Sequence, residues 1–290
     1  MDNTQIKLSA GTATWYSYPC ETIAKDTIHF SPANGILADS YRLFFKELNK
    51  HYAVSAMDCR AAWPDAEAPK EQQRWEDLAN DLIEVVEQQY SRPVIGMGHS
   101  LGGVLTLMAA AKRPELFSKI VAIDGASLPN FGLSLVYDFL PKWWSVKNIP
   151  LVASTYKRRK VWDSREQFSK YHLGKSAYKN FDTQCMHDYA MAGLREREDG
   201  KFELVYSREW EAFIFRRIKY LWSVAKKVKV PVHLLRAEYG HLYTQEQFDS
   251  RCAGLPKHIT SAVIPGLGHL ATHENPVITA ESVLAYLSRG

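Results

Sequence analysis

A serine framed by glycines is the first candidate for chemistry in this chain. Ser100 is the centre of the run Gly98-His99-Ser100-Leu101-Gly102, and Gly103 follows it. The apolar residues 93–95 before the run predict a buried strand, and residues 104–111 after it predict a buried helix. Strand, Gly-x-Ser-x-Gly and helix in this order are typical of a nucleophile elbow. We therefore predict that Ser100 is a nucleophile, because the alternative, a phosphate-binding turn, would need dinucleotide or P-loop spacing, which is absent here.

A serine hydroxyl is a weak nucleophile and needs a base within hydrogen-bond reach. His269 stands in the run Gly266-Leu267-Gly268-His269, after the last predicted strand and before the last predicted helix. A glycine-flanked loop in that place allows an imidazole to reach the serine. His273 lies nearer the helix and is the weaker candidate. We predict that His269 is the base.

The third group would be a carboxylate that orients the histidine, and the sequence offers two. Asp124 ends the strand after the elbow helix, 24 residues beyond Ser100. Glu238 follows a later strand, in the run Arg236-Ala237-Glu238-Tyr239-Gly240. We favour Asp124 and keep Glu238 as the alternative. A third carboxylate, Asp249, is predicted to lie on a helix and is the weakest candidate.

Regular alternation of strands and helices would position these side chains. The alternating apolar patterns predict eight strands, at 5–10, 13–18, 26–30, 52–57, 93–95, 119–124, 229–235 and 258–264. Helices are predicted between them, at 37–49, 71–90, 104–111, 244–252 and 276–287. Asn275 can cap the last helix, and Pro276 suits its first position. The pattern predicts an α/β fold with a mostly parallel sheet, helices on both faces and an antiparallel edge at the first two strands.

The alternation stops between residues 126 and 227. Aromatic-rich loops are predicted there first, followed by helices near 164–173, 176–194 and 207–219. A long helical insertion between two sheet strands predicts a cap over the ends of the strands, where such sheets bind ligands. We therefore divide the chain into a core of residues 1–125 and 228–290 and a cap of residues 126–227.

Composition and charge limit the class of protein. The chain has 290 residues, of which 46% are hydrophobic and 23% charged, which is typical of a globular protein. The predicted cap holds 19 Lys and Arg against 11 Asp and Glu, a net charge of +8, while the rest holds 17 against 21, a net charge of −4. No nucleic-acid motif accompanies the basic segment. The N-terminus lacks a secretory pattern, no apolar run is long enough to span a membrane, and the four cysteines have no metal-like spacing. We expect a cytoplasmic protein without stable membrane insertion.

The chain resembles the α/β-hydrolase fold family, and within it the capped, esterase- or lipase-like serine hydrolases. The resemblance covers nearly the whole chain and rests on three runs, at residues 28–35, 98–103 and 266–269. It implies Ser100 as nucleophile, His269 as base, and an oxyanion hole built from the backbone N–H groups of Leu101 and Ser31. The chain departs from the family pattern at the acid, because Gly240 occupies its usual place.

The resemblance implies hydrolysis of carboxylic esters through an acyl-enzyme on Ser100. It implies no metal and no organic cofactor. We expect a substrate with an apolar acyl or alkyl group, contacted by Phe30, His99, Trp143 and Trp144. Lactonase, thioesterase and carbon–carbon hydrolase chemistry remain alternatives, as does a non-catalytic protein that binds a small ligand. We expect a small-molecule ester as the partner, no nucleic acid, and a monomer or homodimer.

Overall fold

An eight-stranded sheet forms the centre of the protein in a computed structural model, which describes residues 2–20, 26–240 and 242–288. The strand order is β1-β2-β4-β3-β5-β6-β10-β11. The strands are β1 (Asp2–Leu8), β2 (Gly11–Tyr18), β3 (Thr27–Ser31), β4 (Ala53–Met57), β5 (Val94–His99), β6 (Phe117–Ile123), β10 (Val232–Ala237) and β11 (Ile259–Ile264). Strand β2 runs antiparallel to both of its neighbours, and the pairs from β4 to β11 are parallel. The predicted mostly parallel sheet with an antiparallel edge is confirmed.

Helices cover both faces of this sheet. The core helices are α1 (Arg42–Leu48), α2 (Trp75–Gln89), α3 (Leu101–Lys112), α10 (Leu221–Ala225), α11 (Gln245–Cys252), α12 (Ala271–Glu274) and α13 (Pro276–Leu287). Side chains of β6 alternate between the two apolar cores: Ile120 packs with α2 and α3, and Val121 with α1 and α13. This alternation is the two-residue period of a strand buried on both faces.

Residues 126–227, called here the inserted segment, lie between β6 and β10. It contains the helices α4 (Phe131–Phe139), α5 (Lys142–Asn148), α6 (Pro150–Tyr156), α7 (Arg165–Leu173), α8 (Thr183–Gly193) and α9 (Arg208–Arg216), and ends with α10. A small sheet of β7 (Val161–Trp162), β9 (Phe202–Leu204) and β8 (Leu194–Glu196), in that order, completes it. The expectation of aromatic loops at its start is wrong, because residues 131–156 form three helices.

Local capping explains where several helices begin. The predicted helix 71–90 starts only at Trp75, since Arg74 has an extended backbone and its N–H donates to Oδ2 of Asp77 over 2.7 Å. Asn275 accepts a hydrogen bond from the Ile278 N–H, so the predicted start of the last helix is confirmed. Within the described residues, no helix combines the length and the apolar composition needed to cross a bilayer.

Candidate active site

Ser100 occupies a strained turn between β5 and α3. Its φ of 52° and ψ of −112° fall in a region that non-glycine residues rarely adopt. Its N–H donates to the Ile123 carbonyl over 2.9 Å, which fixes the turn to the neighbouring strand. Such strain costs roughly 1–3 kcal/mol and persists only where the surroundings impose it. The local geometry is that of the elbow predicted from the glycine pattern.

Ser100, His269 and Asp124 form a continuous hydrogen-bonded chain. The Ser100 hydroxyl lies 3.0 Å from Nε2 of His269, and Nδ1 of the same ring lies 2.6 Å from Oδ2 of Asp124. The Asp124 side chain is 1% exposed and that of His269 is 18% exposed. A carboxylate only accepts hydrogen bonds, so Nδ1 carries the proton and Nε2 is free to accept the serine proton. The arrangement suits proton transfer from the serine to the imidazole.

The sequence left two acids open, and the structure brings Asp124 to the imidazole. Its Oδ1 accepts a hydrogen bond from the Ala237 N–H over 3.0 Å. A Cβ added to Gly240 would stand 3.0 Å from Oδ2 of Asp124, so the glycine at the family's usual acid position leaves room for this carboxylate. Glu238 accepts instead from the Gly266 N–H over 2.7 Å. Glu238 therefore holds the histidine loop at its start and does not orient the ring.

Two further side chains anchor the loop that carries His269. Nε2 of His99 donates to the His269 carbonyl oxygen over 2.8 Å, and its Nδ1 accepts from the Tyr41 hydroxyl over 3.0 Å. Burial lowers the pKa of His99 to about 3, so the ring is neutral at physiological pH. Glu274 accepts from the Gly268 N–H over 2.8 Å. These contacts fix the backbone on both sides of the imidazole.

The two backbone N–H groups expected to bind an oxyanion stand on adjoining segments. Leu101 is the first residue of α3, where N–H groups have no partner within the helix. Ser31 ends β3 and pairs in register with Gly98 of β5. A Cβ on Gly102 would lie 1.9 Å from the Ser31 carbonyl oxygen, so only glycine allows α3 to approach β3 this closely.

The inserted segment holds the loop that follows Ser31. Nδ2 of Asn34 donates to the Glu211 carbonyl over 3.1 Å, and the Tyr206 hydroxyl donates to Oδ1 of Asn34 over 2.9 Å. The Glu211 carboxylate pairs with Arg158 at 2.8 Å, and both side chains are largely buried. Burial raises the pKa of Glu211, and the charge of Arg158 opposes that shift. The loop is thus fixed by α9 as well as by the core.

The four residues expected to contact substrate differ widely in exposure. Phe30 is completely buried and packs against the rings of Tyr41 and Phe45, and His99 is equally enclosed. Trp143 and Trp144 lie on α5 and are 69% and 38% exposed. The first two are interior side chains beside the elbow, the tryptophans are exposed on α5, and a substrate contact by any of the four stays a prediction.

The sequence analysis missed the anchoring roles of Tyr41, Glu274, Asn34 and Glu211. Asn34 and Gly35 belong to a run that the resemblance already singled out, so a role beside Ser31 was readable there. Glu211 lies 177 residues from Asn34 along the chain. No local pattern relates two such distant positions, because their contact arises only from the packing of α9 onto the core.

Comparisons with known proteins identify the family of the chain. A model of the alpha/beta hydrolase family matches residues 30–282, and the chain belongs to that family. A protein of Haemophilus influenzae named "Putative esterase/lipase" is 27% identical over 152 residues, which are 50% of each chain. The "Uncharacterized hydrolase YugF" of Bacillus subtilis is 30% identical over 86 residues, 30% of this chain and 32% of that protein. The chain thus matches about half and about a third of the lengths of these two relatives.

Solved structures extend the likeness to the complete fold. The crystal structure of E-2-(acetamidomethylene)succinate hydrolase superposes with a TM-score of 0.81 and covers 99% of both chains. Its sequence is 19% identical. The thioesterase domain from the curacin biosynthetic pathway gives a TM-score of 0.74 at 11% identity, covering 98% of this chain and 99% of that one. At these identities the likeness establishes the α/β-hydrolase fold and leaves the substrate open.

Proposed function

We propose that this protein is a serine hydrolase that cleaves carboxylic esters through an acyl-enzyme on Ser100. The observation that carries the proposal is the chain of contacts from the Ser100 hydroxyl through His269 to Asp124, at 3.0 and 2.6 Å. The esterase/lipase name of the Haemophilus influenzae relative supports an ester as the substrate.

The reaction follows from the position of each group. The Ser100 oxygen attacks the ester carbonyl carbon while Nε2 of His269 takes the hydroxyl proton. The N–H groups of Leu101 and Ser31 stabilise the negative oxygen of the tetrahedral intermediate. The intermediate collapses, the carbon–oxygen bond to the alcohol breaks, and His269 returns the proton to the departing alcohol. Water then attacks the acyl-enzyme by the same route, which releases the acid and restores Ser100.

Asp124, His99 and Glu274 have supporting roles in this scheme. Asp124 holds the imidazole tautomer and stabilises the imidazolium that forms. His99 and Glu274 fix the loop on both sides of His269, so we place His99 among the positioning residues and not among the substrate contacts. No step requires a metal or an organic cofactor.

A fluorophosphonate probe and short p-nitrophenyl esters test the proposal together. We expect the wild-type protein to be labelled by the probe and to hydrolyse the esters, and Ser100→Ala to do neither. Ser154→Ala is the matched control, because Ser154 is exposed on α6 and its hydroxyl donates to the Leu151 carbonyl over 2.9 Å.

Two results would contradict the proposal. Equal labelling of the wild type and Ser100→Ala would show that another residue reacts. A folded wild type that is neither labelled nor active on the esters would favour a protein that binds a small ligand without turning it over.

A further inference from the structure

Helices α4 and α5 carry half of the large hydrophobic side chains that are exposed among the described residues. Twelve large hydrophobic residues are exposed among the described residues, and seven of them fall between positions 131 and 151. These seven are Phe131, Leu135, Val136, Phe139, Trp143, Trp144 and Leu151. Single exposed apolar residues are normal, but a concentration on neighbouring helices indicates an interaction surface.

Helix α4 directs its polar side chains inward. Ser134 is buried, and its hydroxyl accepts a hydrogen bond from the Tyr220 N–H over 3.2 Å. Asp138, one turn later, pairs with Lys219 at 2.7 Å and is 14% exposed. Phe131, Leu135 and Phe139 follow each other at four-residue spacing, which places them along one exposed stripe of the helix. The amphipathic pattern of α4 is therefore reversed relative to that of an ordinary surface helix.

Buried arginines complete the polar side of α4. Arg217 donates to the carbonyl oxygens of Tyr137 and Asp138, and Arg216 donates to that of Leu140 over 3.1 Å. Both guanidinium groups also pair with Glu71. The carbonyls at the C-terminal end of the helix are thus satisfied by fixed charges, which helps to hold α4 in this orientation.

Helix α5 repeats the arrangement on a smaller scale. Ser145 is fully buried, and its hydroxyl donates to the Pro141 carbonyl over 3.1 Å. Trp143 points outward, and the exposed residues beside it include Lys142 and Lys147. Aromatic rings beside lysines are the composition of helices that lie at a lipid–water boundary.

The charge around these helices is predominantly positive. Residues 126–162 contain six Lys and Arg and a single acidic residue, Asp138. Asp138 faces inward and is paired with Lys219. Glu71 and Glu76, from outside this stretch, are exposed but pair with Arg216, Arg217 and Lys219, so cations predominate beside the apolar side chains. This combination complements a surface that is apolar inside and anionic at its edge.

We propose that the docking surface, formed by Phe131, Leu135, Val136, Phe139, Trp143, Trp144, Lys142 and Lys147, binds the surface of a lipid bilayer that contains anionic phospholipids. A second copy of the chain fits less well, since a two-fold contact through the same surface would bring its cations against each other. The proposal goes beyond ester hydrolysis and does not depend on Ser100.

Co-sedimentation of the full chain with vesicles tests the proposal. Vesicles of equal parts phosphatidylglycerol and phosphatidylcholine are compared with vesicles of phosphatidylcholine alone. We expect the wild type to bind the anionic vesicles more tightly, and added salt to weaken that binding. Lys142→Gln with Lys147→Gln should weaken it about fivefold per lysine and leave binding to the neutral vesicles unchanged.

A pair of apolar substitutions isolates the aromatic contribution. Phe139→Ser with Trp143→Ser should weaken binding to both kinds of vesicle by about tenfold or more, since both side chains would leave the bilayer boundary. Met191→Ser with Val277→Ser is the matched control, because both residues are exposed apolar side chains, at 48% and 46%, and lie outside the docking surface. Ser100→Ala should bind the vesicles as the wild type does, which separates this test from that of the proposed activity.

Three outcomes would overturn the proposal. The first is a wild type that sediments with neither kind of vesicle. The second is binding that Phe139→Ser with Trp143→Ser leaves unchanged. The third is a wild type that does not bind vesicles and forms a dimer in sedimentation velocity, while Phe139→Ser with Trp143→Ser is a monomer. That result would assign the surface to a second copy of the chain.

Discussion

Helices α2 and α4 differ in the kind of side chain that each buries against the rest of the protein. Helix α2 buries Trp75, Leu78 and Leu82 against the sheet, whereas α4 buries Ser134 and leaves Leu135 exposed. Burial of apolar area stabilises α2, at roughly 25 cal/mol per Å². Hydrogen bonds and ion pairs to Tyr220, Lys219 and the buried arginines hold α4. A buried polar face is tolerated where most of its groups find partners, although Oδ1 of Asp138 and Nε of Arg216 and Arg217 have none among the described residues.

The difference between the two helices matches a difference between the two regions to which they belong. The sheet and its apolar cores hold Ser100, His269 and Asp124 within hydrogen-bond distance, which requires a rigid interior. The first helices of the inserted segment keep their apolar side chains available for contact with something outside the protein. Substitutions in the two regions should therefore differ in kind as well as in size.

The largest effect is expected at the carboxylate that the core encloses. Asp124→Asn should lower kcat for a p-nitrophenyl ester by about 10⁴-fold, because an amide favours the wrong imidazole tautomer. Steady-state kinetics measures the loss. Glu238→Gln is the matched control, since it retains an oxygen that can accept from the Gly266 N–H, and it should stay within about tenfold of the wild type. Reversed effects of the two variants would make Glu238 the acid.

Two tryptophans compare the regions directly through stability. Trp75 is 1% exposed, and its indole N–H donates to the Ile214 carbonyl over 3.1 Å. Trp75→Ala should lower the free energy of unfolding by about 3–5 kcal/mol. Trp143→Ala should change it by no more than about 0.5 kcal/mol. Urea unfolding measures both, and comparable losses would show that α5 is packed like an ordinary core helix.

Buried histidines give the core a dependence on pH. Burial lowers the pKa of three of them from 6.5 to about 3, namely His29, His99 and His273. The unfolded chain binds their protons near pH 6.5 and the folded chain only near pH 3, so stability is complete above pH 6.5 and falls as the pH is lowered towards 3. Burial raises the pKa of Asp58 and Asp81 to about 6, and these two groups oppose part of the loss between pH 6 and 4.

The variant His29→Phe measures one such contribution. His29 stacks on Trp15 with ring centroids 5.3 Å apart, so a phenyl ring can take its place. Below pH 6, the fall in the free energy of unfolding per pH unit should become smaller by about 1.4 kcal/mol. This is the effect of one proton fewer taken up on unfolding. Urea unfolding at several pH values between 7 and 4.5 provides the slope. An unchanged slope in His29→Phe would contradict the assignment.

The two regions also differ in how far the sequence predicts them. Ser100 and His269 lie in short glycine-marked runs, and the alternating strands around them have a strong apolar period. The choice between Asp124 and Glu238 depends on the space beside Gly240, which is a tertiary property and has no local signal.

The helices of the inserted segment were harder to recognise. Phe131, Leu135 and Phe139 have helical spacing, and Asn130 caps the first turn by accepting from the Leu133 N–H. The sequence analysis nevertheless predicts loops at the start of the segment, where the alternation of strands and helices stops. Strands β7 to β9 have only two or three residues each, too few for a period to be visible.

Neighbouring residues of α4 provide the finest test of the reversed orientation. Ser134→Ala should lower the free energy of unfolding by about 1–2 kcal/mol, because the Tyr220 N–H would lose its acceptor. Leu135→Ser should change it by no more than about 0.5 kcal/mol, since the leucine is exposed. Urea unfolding of both variants gives the comparison. A larger cost for the leucine than for the serine would mean that the apolar face of α4 is covered within the protein, and the contrast with α2 would disappear.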